Sequence, residues 1–263
     1  MPFYPLLEGP ECNGSVELFN FAPNDWEDAS FRERFLNVSW ADGSLWHSKC
    51  ISVVSPGASV SVSRNDLSYL PKSKFGFLSL SKNLLPETTD ILPSINDCHT
   101  LVPNWRSSLG LNDFKGGKTS YQGEIEPFPQ GASMLSFSPF EQKFKNIENY
   151  FIFINLEKSP LYRKTDLKIF NPLSMKLLKT EIITSNSITI INIDNLCDLE
   201  ENLLLMASEN MAGIPLYFSR NKITRQMSLE HTHPPASFAI HGKRFAVQQE
   251  LKKIWFERIK NTI

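Results

Sequence analysis

Along much of the chain, hydrophobic and polar positions alternate with the two-residue period of a half-buried β-strand. Ser59-Val-Ser-Val and Ser187-Ile-Thr-Ile alternate strictly. Phe75-Gly-Phe-Leu-Ser-Leu and Tyr150-Phe-Ile-Phe-Ile-Asn-Leu are short runs of aromatic and β-branched residues, the types that fit a pleated surface. Asp42-Gly43, Pro56-Gly57, Asn171-Pro172 and Ser185-Asn186 punctuate them as turns. Many short strands divided by such turns predict an all-β chain of the sandwich or barrel kind. From Phe245 the period changes. Val247, Leu251, Ile254, Trp255 and Ile259 recur at helical spacing, with Gln248, Gln249, Lys252, Lys253 and Glu257 on the other face. This predicts one C-terminal amphipathic helix over about residues 245–260, packed on a sandwich.

The strand pattern repeats. Gly14–Pro23 resembles Gly131–Pro139, and Leu36–Leu45 resembles Leu167–Met175. Ser52–Val62 parallels Glu181–Ile190, and His99-Thr-Leu-Val-Pro103 is echoed by His231-Thr-His-Pro-Pro235. The order is the same in both halves. An internal duplication follows as the expectation, giving two tandem β-sandwich (jelly-roll-like) domains at 1–117 and 118–263.

Composition narrows the function classes. The 263 residues carry 27 Lys+Arg against 28 Asp+Glu, and 41% are hydrophobic. Such a chain is too apolar for disorder and too balanced for a generic nucleic-acid binder. Residues 1–130 hold 10 basic and 15 acidic side chains, and residues 131–263 hold 17 and 13. This mild polarity can draw the halves together or set a homo-oligomer, but basic residues are not clustered with aromatics as nucleic-acid binding requires. No apolar run approaches the roughly 20 residues of a membrane-spanning helix. The first residues show no positive n-region and no apolar h-region, and the four cysteines form no Cys-x-x-Cys. A cytoplasmic protein with reduced thiols is expected.

The densest chemistry is Glu230-His-Thr-His-Pro-Pro235, followed by His241. On an extended strand His231 and His233 point to one face, where two imidazoles can meet a zinc, iron or manganese ion. His241 joins them only in one hairpin register, and Glu230 only through a bulge. The His-x-His pair resembles part of the cupin metal motif. The preceding glycine, the following glutamate and the second motif are missing, so no family is assigned.

Other candidates carry less. Gly116-Gly-Lys-Thr-Ser120 lacks the earlier glycine and the following helix of a phosphate loop. Glu124 and Glu126 alternate on one strand face and read as solvated. Trp26, Trp40, Trp46 and Trp105 all fall in the first half, where aromatics near loops can stack on sugar rings or fill a core. Two function classes are expected. The first is a non-catalytic binding or accessory protein that holds a glycan or protein partner at sandwich loops or an interdomain groove. The second is a metal-dependent enzyme or metal-binding protein centred on Glu230, His231, His233 and His241.

Overall fold

Alternation becomes antiparallel pairing almost wherever the sequence shows it. The structure is a computed structural model that describes residues 3–20, 33–72, 74–92, 107–139, 146–196, 203–232 and 244–262. The chain forms two compact units. The first comprises residues 1–128 with 155–163 and 185–188, and the second holds the remainder.

The strands of the first unit are β1 (Tyr4–Pro5), β2 (Glu8–Gly9), β3 (Cys12–Phe19), β4 (Arg34–Ala41), β5 (Trp46–Val54), β6 (Ser59–Ser63), β7 (Phe77–Ser81), β8 (Thr88–Thr89), β9 (Ser107–Asp113) and β10 (Lys118–Gly123). One sheet has the order β1-β7-β4-β5-β8. The other has the order β10-β9-β3-β2, with β6 also paired to β3. Lys118–Gly123 returns antiparallel along Ser107–Asp113, which places these residues in the first unit. The Gly116-Gly-Lys run is the turn of this hairpin, with Gly116 at φ 112°, a conformation that glycine adopts without steric cost. A strand follows it, not a helix.

The strands of the second unit are β11 (Met134–Pro139), β12 (Ile147–Asn155), β13 (Lys164–Phe170), β14 (Leu177–Thr184), β15 (Ser187–Asn192), β16 (Leu203–Ser208), β17 (Ile214–Asn221) and β18 (Met227–His231), with the helix α1 (Arg244–Lys260) after them. Its sheets have the orders β11-β16-β13-β14 and β15-β12-β17-β18. Alternate residues of both sheets meet in one core. Met134, Leu167, Ile169, Leu204 and Met206 come from the first sheet, and Phe151, Phe153 and Ile191 from the second. Full burial of one such side chain stabilises by about 1.5–3 kcal/mol.

The intervening residues of the first sheet point the other way, and α1 covers them. Leu135, Phe170, Leu205 and Ala207 pack with Ile259, against which Phe137, Trp255 and Phe256 also rest. Burial on both faces explains why Leu204–Ala207 reads as a continuous apolar run rather than an alternating one.

The two units share one strand order. β1, β7, β4 and β5 correspond in sheet position and chain order to β11, β16, β13 and β14, and β6, β3, β9 and β10 to β15, β12, β17 and β18. β2 and β8 are additions to the first unit. This correspondence pairs Leu36–Leu45 with Leu167–Met175, and Ser52–Val62 with Glu181–Ile190, as the sequence repeat does. It departs from the repeat at the ends. β3 takes the place of β12 and not of the strand in Gly131–Pro139, and His231 ends the counterpart of β10, whereas His99 precedes β9 in the chain.

Candidate functional site

A cavity of about 630 Å³ opens in the first unit, lined by Glu8, Asn13, Arg64, Asn65, Lys72 and Phe114 among others. Its wall is built from backbone turns. Residues Glu8–Gly9 pair with Cys12–Asn13 across a tight turn at Pro10-Glu11, where Glu11 takes φ 54°. Gly14 follows where the chain touches itself: a Cβ there would lie 1.9 Å from the Leu7 carbonyl oxygen. Only glycine lets β3 pass this close, so Gly14 fixes where Glu8 and Asn13 stand.

The opposite wall is a single 3-10 turn over Arg64–Asp66, held by a capping box. The Ser63 hydroxyl accepts from Asn65 N at 3.3 Å, and the Asp66 carboxylate accepts from Ser63 N at 2.8 Å. Buried Leu67 and Leu70 anchor the loop that follows. Asn13 Nδ2 donates to Asn65 Oδ1 at 3.2 Å and joins the two walls. Phe114, in the β9–β10 turn, is 65% exposed, and its backbone N–H donates to the Glu11 carbonyl at 3.1 Å.

The charges in this cavity are not neutralised by contact. Arg64 Nη2 donates to the Pro71 carbonyl at 2.7 Å, while Nη1 is buried and has no hydrogen-bond partner among the described residues. Burial pushes the Glu8 carboxyl above the usual carboxylate range, and the Arg64 charge opposes part of that rise. Burial likewise lowers the Arg64 guanidinium, and Glu8 opposes it. The two therefore sense each other, yet among the described residues they form no ion pair. Lys72 adds a second, exposed cation to the lining.

A second polar group sits at the β4–β5 hairpin. Asp42 Oδ1 accepts from Ser44 N, Ser44 Oγ and Leu45 N, and His47 Nε2 donates to Asp42 Oδ2 at 2.7 Å. These bonds hold the Asp42 carboxyl well below the usual range, the His47 contact most of all. Trp40 stacks on His47 with ring centroids 5.4 Å apart. Trp46 is different: it is 1% exposed, and its Nε1 donates to the Lys158 carbonyl at 2.8 Å. Asp42 is fully occupied by the turn it caps, so this group orders a hairpin.

The histidine-rich segment is described only up to Thr232. Glu230 and His231 lie on β18 opposite Tyr217 and Leu216, in a regular register. Neighbours on a strand point to opposite faces, so Glu230 stands on the other face from His231. The His231 Nδ1 is hydrogen-bonded to the Thr232 carbonyl. His233 and His241 lie outside the described residues. Among the described residues no three His, Cys, Asp or Glu side chains are gathered closely enough to hold a metal ion. Among them, too, no helix is long and apolar enough to cross a membrane.

No protein-family model matches this chain, and no curated protein or solved structure matches it either. The site is therefore read from its own geometry. Sequence reasoning passed over Glu8 and Arg64. The one local signal was Ser63-x-x-Asp66, the spacing of a cap, which marks where the chain turns beside Arg64.

Proposed function

We propose that the protein is a non-catalytic binding protein that holds a glycan in the cavity of the first unit. We also propose that both units are β-sandwiches descended from one duplicated domain, a reading supported by their common strand order. The observation that carries the function is the side-chain set around the cavity. Two amides, a carboxylate and a guanidinium supply paired donors and acceptors for hydroxyl groups, and an exposed phenyl ring supplies a flat apolar face for a sugar ring. The volume falls within the ordinary range for small-ligand sites.

The test is a glycan array followed by calorimetric titration of the best ligand into wild type and Phe114→Ala. The reading expects binding to at least one glycan and a loss on the order of 10-fold in the variant, the cost of one aromatic contact. A protein that binds no glycan, or binds one equally well without the phenyl ring, overturns it.

A metal reading rests on a different observation. The His231 Nδ1 is hydrogen-bonded to a backbone carbonyl, a bond that metal-bound imidazoles also make. Near-stoichiometric zinc, iron or manganese in tag-free protein, lost in a His231→Ala/His233→Ala variant, is the result it requires.

A further inference from the structure

We propose that the cavity takes an acidic glycan, a sugar bearing a ring carboxylate, with that carboxylate on Arg64 and the ring hydroxyls on Glu8 and Asn65. This rests on the glycan-binding reading above and names the class of sugar.

Three observations lead there. The first is the state of Arg64. Its guanidinium is partly withdrawn from water, yet the only acceptor it has found among the described residues is the Pro71 carbonyl, and Nη1 has none. A guanidinium presents a planar fork that a carboxylate satisfies with two parallel bonds, whereas a neutral hydroxyl satisfies one N–H and brings no charge. The second is Glu8. Ionised, it accepts only, and among the described residues it accepts from nothing. Sugar hydroxyls are donors that match it. It also repels a second carboxylate, so it orients an acidic sugar with its charge toward Arg64. The third is the balance of the lining, where Arg64 and Lys72 face the single acid Glu8, so the cavity carries a net positive charge before the ligand arrives. Phe114 then receives the less polar ring face, as it would for any sugar.

The experiment uses the full chain and an array carrying glucuronate, galacturonate and iduronate glycans beside neutral glycans of matched linkage. Calorimetry then follows on wild type, Arg64→Gln and Phe114→Ala. The expected result is binding to uronate-bearing glycans with little to their neutral counterparts, and affinity that falls as salt is added. Arg64→Gln should weaken the acidic ligand on the order of 10- to 100-fold, the range for a hydrogen bond to a charged group. Phe114→Ala should weaken it too, and the preference of wild type for uronates over matched neutral glycans keeps the test valid if Arg64→Gln does not fold. Equal or better binding of neutral glycans, lost in Phe114→Ala, overturns this inference and leaves the glycan-binding reading standing. No glycan binding at all overturns both.

Discussion

Two Glu–Arg pairs in this molecule show opposite uses of charge. In the second unit Arg220, 3% exposed, donates through Nε and Nη2 to one oxygen of Glu148 at 3.1 and 2.6 Å, and Lys222 lies 3.5 Å from the other oxygen. Every charge there has a partner in the fold. In the first unit Glu8 and Arg64 line one cavity, each desolvated, and neither pairs with the other. Leaving charges half-buried and unpaired costs stability, and strained or unsatisfied groups of this kind persist where something outside the fold completes them. The contrast separates a pair that joins two strands from a pair of charges that share a cavity without an ion pair between them.

The largest predicted effect falls on the paired side. Arg220→Ala leaves Glu148 with only Lys222 and should cost about 3–5 kcal/mol in urea denaturation, the usual price of breaking a buried pair. A loss under about 1 kcal/mol would place this pair with ordinary surface contacts. Gly14→Ala comes next. Its Cβ collides with the Leu7 backbone, so β2 must shift, and about 1–3 kcal/mol should be lost together with ligand binding. Retention of both would show that Gly14 does not position the wall.

Smaller effects sharpen the unpaired side. The Glu8 carboxyl is raised in the folded state, so its contribution to stability is present in full below the ordinary carboxylate value of 4.5 and is lost as pH rises through the higher folded value. Glu8→Gln should therefore be more stable than wild type at neutral pH, with the gap closing as pH falls below 4.5. Thermal melts across that range check the sign. The smallest effect belongs to Asp42→Asn. The carboxyl is lowered, so its contribution is present above the ordinary aspartate value of 3.8 and is lost as pH falls further. The variant should melt slightly below wild type at neutral pH, a difference that shrinks in strong acid.

Much of the architecture was legible because it is written in local periods. Ser59–Ser63, Ser187–Asn192 and Ile147–Asn155 are strands where alternation or β-rich composition placed them, and Arg244–Lys260 is the helix that the apolar spacing marks. The middle of the expected repeat was legible as strands of equivalent sheet position, β4 with β13 and β5–β6 with β14–β15. Its ends were not, because β3 and β11 both carry the alternating grammar of any strand while the topology gives them different places. Trp46 shows the limit for single residues. Nothing local distinguishes it from Trp40, yet one is sealed in the interior and the other stacks on His47. The cavity was harder still. Glu8, Arg64 and Phe114 come from a short strand and two turns far apart in the chain, and no period joins them. Histidine density drew attention to Glu230–His241 instead, where strand alternation sets Glu230 and His231 on opposite faces.

One substitution made at two places tests the contrast most directly. Glu148→Gln and Glu8→Gln each replace a carboxylate by its neutral isostere, and urea denaturation at pH 7 without ligand reads the consequence. Glu148→Gln should lose about 3–5 kcal/mol because it removes the carboxylate charge that the buried Arg220 pairs with. Glu8→Gln should be neutral or stabilising. If Glu8→Gln is as destabilising as Glu148→Gln, the cavity charges belong to the fold and not to a ligand.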